Sequence, residues 1–283
     1  MEIIRSVPEM RRASAGFAGK GRVVGIVPTM GYLHDGHVSL IRHARSTSDV
    51  VITTIFVNPA QFGPSEDFDR YPRDFERDER TARDAGTDIL FAPGREEMYP
   101  EDYRTFVVTE GVSTILEGEF RPTHFRGVTT VVAKLLNITR PEKAMFGQKD
   151  AQQAFIVQRM VRDLNFDTEV VVRPIVREAD GIAMSSRNAY LSKDERGRAT
   201  VLYASLQYAA RSVAAGERDT KKIASEMRSM VNTGRPEQID YISFIDPERF
   251  AIVSELPRPS VLVALAVRFG RTRLIDNIMI DIP

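Results

Sequence analysis

Cysteine is absent from this 283-residue sequence. That excludes disulfides, thiol nucleophiles and cysteine-bearing zinc sites, and it fits a reducing compartment. Also missing is any apolar run near the roughly 18 residues that suggest a membrane span. The N-terminal stretch carries Glu2, Arg5, Glu9, Arg11 and Arg12 and lacks a continuous apolar core. No secretory signal is expected there, and the cytoplasm is the expected location. Net charge is absent as well, with Lys plus Arg and Asp plus Glu at 39 each, so nothing overall points to nucleic acid or an acidic membrane. There is no repeat, no low-complexity tract, no P-loop pattern, no three-glycine dinucleotide fingerprint and no Gly-x-Ser-x-Gly turn. What is present, 42% hydrophobic and 28% charged residues, is a globular composition at a length for one large or two ordinary domains.

Short apolar runs alternate with helical patterns over the first 175 or so residues. Expected strands are Arg22–Val27, Val50–Phe56, Asp88–Ala92, Thr105–Val108, Ala144–Phe146 and Glu169–Arg173. Expected helices are His37–Ser46, Pro72–Ala85 with a largely solvated face, Val128–Asn137 and Ala151–Leu164. This alternation predicts an α/β fold with a mainly parallel sheet covered on both faces. After about Val176 the pattern changes. A polar connection, Arg177 to Leu191, precedes helical stretches at Asp194–Ala214 and Thr220–Asn232 and strands at Ile239–Ile245, Val261–Val267 and Arg273–Ile280. The expected organisation is a domain over 1–176 and a smaller α+β domain over 177–283.

Four polar clusters fall at or just beyond expected strand ends, where ligands gather in open α/β sheets. The first is Met30-Gly31-Tyr32-Leu33-His34-Asp35-Gly36-His37. Its glycines permit close backbone approach, and its two histidines sit where a helix N-terminus would meet anionic phosphates. Two histidines without a cysteine are too few for a metal site, and a surface turn is the plainer alternative. The second, Asn58-Pro59-Ala60-Gln61, offers uncharged amides to hydroxyl and carboxylate oxygens, although Asn-Pro also starts ordinary turns. The third, Gly147-Gln148-Lys149-Asp150 with Gln152 and Gln153, places a cation and a carboxylate at a helix start; Asp150 fits an N-cap, a ribose hydroxyl or a metal-bound water. The fourth, Met184-Ser185-Ser186-Arg187-Asn188, suits a polyphosphate tail, the arginine by forked hydrogen bonds, or a plain linker. Two further stretches, Glu66–Phe68 with Tyr71–Arg73 and Arg121–Gly127, stay ambiguous between a rim, a subunit contact and plain structure.

Together these clusters resemble the pantothenate synthetases (pantoate–β-alanine ligases) over nearly the whole chain. Pro28 to His37 is similar to that family's nucleotide motif, related to the His-x-Gly-His of nucleotidyltransferases. Phe56 to Phe62 is similar to its pantoate-binding stretch. His124 to Asn137, Phe146 to Gln153 and Met184 to Leu191 match the remaining motifs, in order and at fitting intervals. Ala151 stands where many members have tyrosine, and Thr123 where glycine is usual. Neither position is expected to touch substrate.

The resemblance implies a Rossmann-like N-terminal domain, a smaller C-terminal lid and a homodimer. It implies ATP- and magnesium-dependent joining of pantoate to β-alanine through a pantoyl adenylate, giving AMP and pyrophosphate. His37 would be the nominal proton donor, with His34, Lys149 and Arg187 completing the catalytic set. Met30 to His37, Gly147, Gln148, Lys149, Asp150, Val176, Met184, Ser185, Ser186 and Arg187 would bind ATP, Val176 through a backbone contact to adenine. Gln61 and Gln153 would fix pantoate with Asn58 in support, and Gln61 would also orient β-alanine. The metal ligands are not implied. Two other readings share these residues: a nucleotidyltransferase of the same superfamily that keeps the nucleotide on its product, and a non-catalytic nucleotide sensor.

Overall fold

A computed structural model describes residues 1–64 and 66–282. Ser65, and Pro283 at the end of the expected second domain, lie outside the described residues. The chain divides into two compact units, Met1–Gln148 with Gln152–Pro174, and Lys149–Ala151 with Ile175–Pro283.

The first unit holds strands β1 (Glu2–Ile4), β2 (Val24–Val27), β3 (Val50–Thr54), β4 (Ile89–Phe91), β5 (Lys143–Gly147) and β6 (Glu169–Arg173). They form a sheet in the order β1-β4-β3-β2-β5-β6, and each pairing is parallel. Its helices are α1 (Val7–Ala18), α2 (Asp35–Thr47), α3 (Phe75–Ala85), the short α4 (Arg95–Met98) and α5 (Glu117–Phe120), α6 (His124–Thr139) and α7 (Ala151–Asp163). Successive strand residues point to opposite faces. Val50 and Ile52 therefore join Ile89, Phe91, Val132 and Leu136 in one core, while Val51 joins Leu90, Ile41 and Ala82 in another. Both faces of the sheet are buried, as the run of apolar strand residues predicts. The strands run outward from β2 through β3 to β4, and then resume on the other side of β2 with β5 and β6. The order thus reverses between β2 and β5, the kind of point at which open α/β sheets place their ligands.

The second unit pairs an antiparallel sheet, in the order β10 (Thr272–Asp281), β9 (Ser260–Phe269), β7 (Gln238–Asp246) and β8 (Ala251–Ile252), with helices α8 (Lys193–Ala199), α9 (Val201–Ala214) and α10 (Thr220–Thr233). Leu202, Leu206, Ala209 and Val213 of α9, and Ile223, Met227 and Val231 of α10, cover one face of β9 through Val261, Val263, Leu265 and Val267. The helical residues recur at intervals of three and four and the strand residues at two, so each set makes one stripe. The expected α/β class, a mainly parallel sheet with a smaller α+β part, is the observed one.

Several elements differ from expectation. Thr105–Val108 is not a strand. Val107 donates its N–H to Thr130 Oγ1 at 3.0 Å and accepts from Thr129 Oγ1 at 2.7 Å, so hydroxyls of α6 replace a sheet neighbour. The helix expected from Pro72 begins at Phe75, capped by Asp74. The stretch expected as one helix from Asp194 to Ala214 is two, meeting at Thr200. Asp150 ends a tight turn, Gln148–Asp150, that leads straight into α7. β1, α1 and β8 had no strong sequence signal. β1 is three residues long and gains its strand character by pairing with β4. Among the described residues no helix is long and apolar enough to cross a membrane.

Candidate active site

In the first unit the histidine turn leaves β2 and enters α2. Thr29 anchors its start, receiving Gly31 N–H on Oγ1 at 3.1 Å and donating that hydroxyl to the Thr54 carbonyl at 2.5 Å. Gly31 lies at φ +85° and Tyr32 at φ +50°. The left-handed backbone suits glycine at the first of these and costs energy at the second. The conformation is held from α3. Asp78 accepts the N–H of Tyr32 at 2.6 Å and of Leu33 at 2.7 Å, and is only 1% exposed. Burial raises its pKa, and those two N–H donors oppose the rise. Sequence reasoning placed α3 largely in solvent and missed this residue. A usable signal was present: Asp78 shares the buried stripe of Ala82 and Ala85, at helical spacing.

His34 is the N-cap of α2, one step before its first turn, and His37 is the third residue inside. His34 Nδ1 accepts Gly36 N–H at 3.2 Å, and His37 Nδ1 accepts His34 N–H at 3.3 Å. The ring centroids are 4.1 Å apart. A ring nitrogen that accepts carries no proton, so the proton of each neutral imidazole sits on Nε2. Both rings therefore present N–H donors at a helix N-terminus.

Beside this turn, Phe56 N–H reaches the Thr29 carbonyl at 3.1 Å, and Asn58 caps a tight turn, Pro59–Gln61. Asn58 is 1% exposed and spends its amide internally, donating to Gln61 Oε1 at 3.1 Å and to the Gly127 carbonyl at 3.0 Å. Gln61 Nε2 lies 3.0 Å from Met30 Sδ, so the first two clusters meet. A Cβ at Gly127 would collide with the Ala60 carbonyl, which explains a glycine inside α6. Gly147 ends β5, next to β2 in the sheet, and open space lies where its Cβ would be. Of the two adjacent glutamines on α7, Gln152 is buried and bonded to the backbone of Val112, Ile115 and Glu117, whereas Gln153 is half-buried.

In the second unit, Lys149 Nζ stands 3.6 Å from Asp150 Oδ1, and the Lys149 carbonyl accepts from Asn277 Nδ2 at 3.0 Å. Val176 accepts Met184 N–H at 3.0 Å, closing a small hairpin bridged at Arg177 and Ala183. Ser185 caps the turn Ser186–Tyr190 and accepts Arg187 N–H at 3.3 Å. Asn188 fixes that turn by donating to Glu178 Oε1 at 2.7 Å and to the Ala183 carbonyl at 3.1 Å. Arg196 then holds Glu178 at 2.5 Å and Asp180 at 2.7 Å. Arg177 makes a forked pair with the buried Asp276, at 2.6 and 3.0 Å. Burial raises the Asp276 pKa against the pull of that arginine. None of Glu178, Asp180, Arg196 or Asp276 stood out in the sequence, because each is one charge among many.

The arrangement in the first unit, N–H donors at a helix N-terminus at the sheet's reversal point with neutral amides beside them, suits an anionic substrate. Comparison with known proteins makes this specific. A family model described as pantoate-beta-alanine ligase matches residues 2–279. The chain belongs to the pantoate-beta-alanine ligase family. The pantothenate synthetase of Acetivibrio thermocellus is 49% identical over 282 residues, covering 100% of both chains. The crystal structure of pantothenate synthetase from Thermus thermophilus superposes with a TM-score of 0.93 at 44% identity, covering 98% of this chain and 99% of that one. A Francisella tularensis pantoate-beta-alanine ligase, complexed with beta-gamma ATP and beta-alanine, superposes with a TM-score of 0.82 at 32% identity, covering 99% and 97%. The family expected from the sequence motifs is thereby shown, and with it the expectation of a ligase.

Proposed function

We propose that this ligase condenses pantoate with β-alanine, consuming ATP and releasing AMP and pyrophosphate. The observation that carries this is the family match over residues 2–279. A pantoate carboxylate oxygen attacks the α-phosphorus of ATP, and pyrophosphate leaves in line. The unprotonated amine of β-alanine then attacks the acyl carbon; the nitrogen–carbon bond forms, the bond from the acyl carbon to the AMP phosphate oxygen breaks, AMP departs and the nitrogen gives up one proton. Positioning and charge neutralisation carry most of such a phosphorus transfer.

His34 and His37 lie in the tautomer that donates from Nε2, which supports His37 as the proton donor and His34 as its partner on the phosphates. The remainder of Met30 to His37, with Gly147, Gln148, Asp150, Val176 and Met184, lines the nucleotide, and Lys149, Ser185, Ser186 and Arg187 stabilise its polyphosphate, the two serines by hydrogen bonds and the two cations by charge. Gln61 presents its amide, which lies beside the weak thioether acceptor of Met30, to pantoate and also to β-alanine. Gln153 supplies the second amide, and the buried Asn58 acts through Gln61. Among the described residues no group of three His, Asp or Glu side chains is arranged to hold a metal ion. Magnesium fits this chain as part of the substrate, carried by the ATP phosphates. The family resemblance further supports a homodimer, a lid role for the second domain and a cytoplasmic location.

The test is product release with ATP, magnesium and pantoate, with and without β-alanine. AMP production that needs both acids, with pantothenate formed, is expected. Pyrophosphate release with a stable nucleotidyl product, or tight ATP binding without turnover, overturns the proposal in favour of a transferase or a sensor.

A further inference from the structure

The two stretches that stayed ambiguous in the sequence meet behind Gln61. Arg121 clasps Glu66 in a fork, Nε to Oε1 at 2.9 Å and Nη2 to Oε2 at 2.5 Å. The same guanidinium places Nη1 3.2 Å from His124 Nε2, and Nη2 3.4 Å from the Gln61 carbonyl oxygen. His124 Nδ1 lies 3.0 Å from that same oxygen, and the residue is 8% exposed. The neighbours allow one assignment. A guanidinium only donates, so Nε2 accepts; a carbonyl only accepts, so Nδ1 donates. The ring is neutral, with its proton on Nδ1, the tautomer opposite to that of His34 and His37. Burial, then the Arg121 charge, push its pKa down to about 4, in keeping with that assignment.

We propose that His124 is a positioning residue: through its Nδ1–H, clamped from behind by Arg121 and Glu66, it pins the main chain of Gln61 and so aims the Gln61 amide at the acid substrate. His124 acts through Gln61 without touching substrate, and the inference rests on the reading of Gln61 as a pantoate contact. Asn58 holds the amide end of the same residue, so Gln61 is fixed at its backbone and guided at its tip. A side chain held at one end only would search more rotamers, and binding would bear that cost.

The test compares Gln61→Ala, His124→Phe, His124→Asn and the double variant Gln61→Ala with His124→Phe. His124→Phe keeps the ring and removes the donor. The KM for pantoate is expected to rise about ten-fold while the KM for ATP holds. His124→Asn, whose amide restores a donor near the Nδ1 position, is expected to recover most of the loss. The double variant is expected to be no worse than Gln61→Ala alone. An unchanged pantoate KM in Gln61→Ala overturns the reading of Gln61 and the inference with it. A raised KM in Gln61→Ala with an unchanged KM in His124→Phe overturns the positioning role alone. Nitrogen NMR of the unmodified enzyme tests the same assignment without a variant, since only four histidines need to be resolved. A proton on Nδ1 is expected, and a proton on Nε2 overturns the proposal.

Discussion

The histidine turn of the first unit and the serine-serine-arginine turn of the second are held in opposite ways. The first is fixed by short groups: the Thr29 hydroxyl, and one carboxylate, Asp78, set on two backbone N–H groups. The second has short groups too, Ser185 and the buried Asn188, but Asn188 rests on long ones, Glu178 and through it Arg196, an arginine 33% exposed at its side chain. Short buried groups have few rotamers to lose and little water to compete with. Long charged side chains at the surface hold more loosely and are screened by salt. The difference suits the two roles proposed. A reacting phosphorus needs fixed donors, whereas a polyphosphate grip has to engage and let go.

Removing a reacting group should open the comparison widest. His37→Ala is expected to lower the rate of adenylate formation at saturating ATP and pantoate by about 10²–10³, the usual cost of losing one preorganised donor. Arg187→Ala is expected to act mainly on the KM for ATP. Single-turnover adenylation separates the two effects, and a wild-type rate from folded His37→Ala would remove this histidine from the chemistry.

The support of the histidine turn comes next. Asp78→Ala leaves two backbone N–H groups without their acceptor, at an expected cost of about 2–3 kcal/mol. Hydrogen exchange at Tyr32 and Leu33 reads this directly, and faster exchange at both is expected. Asn is a poor substitute, because its NH2 would face one of the two N–H groups. The first unit should also show an acid limit from His124. Arg121, Glu66 and Glu117 face this imidazole, with desolvation and Arg121 lowering its pKa from 6.5 to about 4 while the Gln61 carbonyl and the two glutamates pull the other way. A folded pKa below the unfolded one means that the native state binds fewer protons. Its stabilisation is therefore full above pH 6.5 and lost as pH falls toward 4, by about 2 kcal/mol between pH 7 and 5. Urea unfolding at those two pH values, in the native protein and in His124→Asn, checks this slope. Asp78 works in the other direction, because its raised pKa favours the native state at low pH and that contribution fades as pH rises through it.

Much of this frame was legible before any coordinates. Residue pattern located the long helices and buried strands, because α9 buries a stripe of its own residues and α6 and β9 bury near-continuous runs of theirs. The paired histidines and the glutamines were legible as residue types at suitable spacing. What escaped was whatever depends on a partner far along the chain. Asp78 resembles the other charges of α3 until Tyr32 and Leu33 meet it across 46 and 45 residues. Glu66 and Arg121 are 55 residues apart and show no pattern until the fold pairs them. Thr105–Val108 has the composition of a strand, but two threonines of α6 reach its backbone first. Local propensity yields to tertiary contact at such places.

The smallest effect should sharpen the contrast most. Arg196→Met keeps the length and apolar stem of the side chain and removes the cation shared by Glu178 and Asp180. These groups are partly exposed, so the expected loss of stability is about 1 kcal/mol or less, with a modest rise in the KM for ATP as the Ser185–Arg187 turn loosens. Salt supplies the comparison. In about 1 M salt the Debye length shrinks to about 3 Å, and the native protein should lose most of what Arg196 contributes, so that native and variant converge in KM. Exchange at Tyr32 and Leu33 should not respond to the same salt, because Asp78 is buried and no ion competes for its two N–H partners. Equal salt sensitivity in both places would mean that the two turns are held by the same kind of force, and the contrast between them would fall.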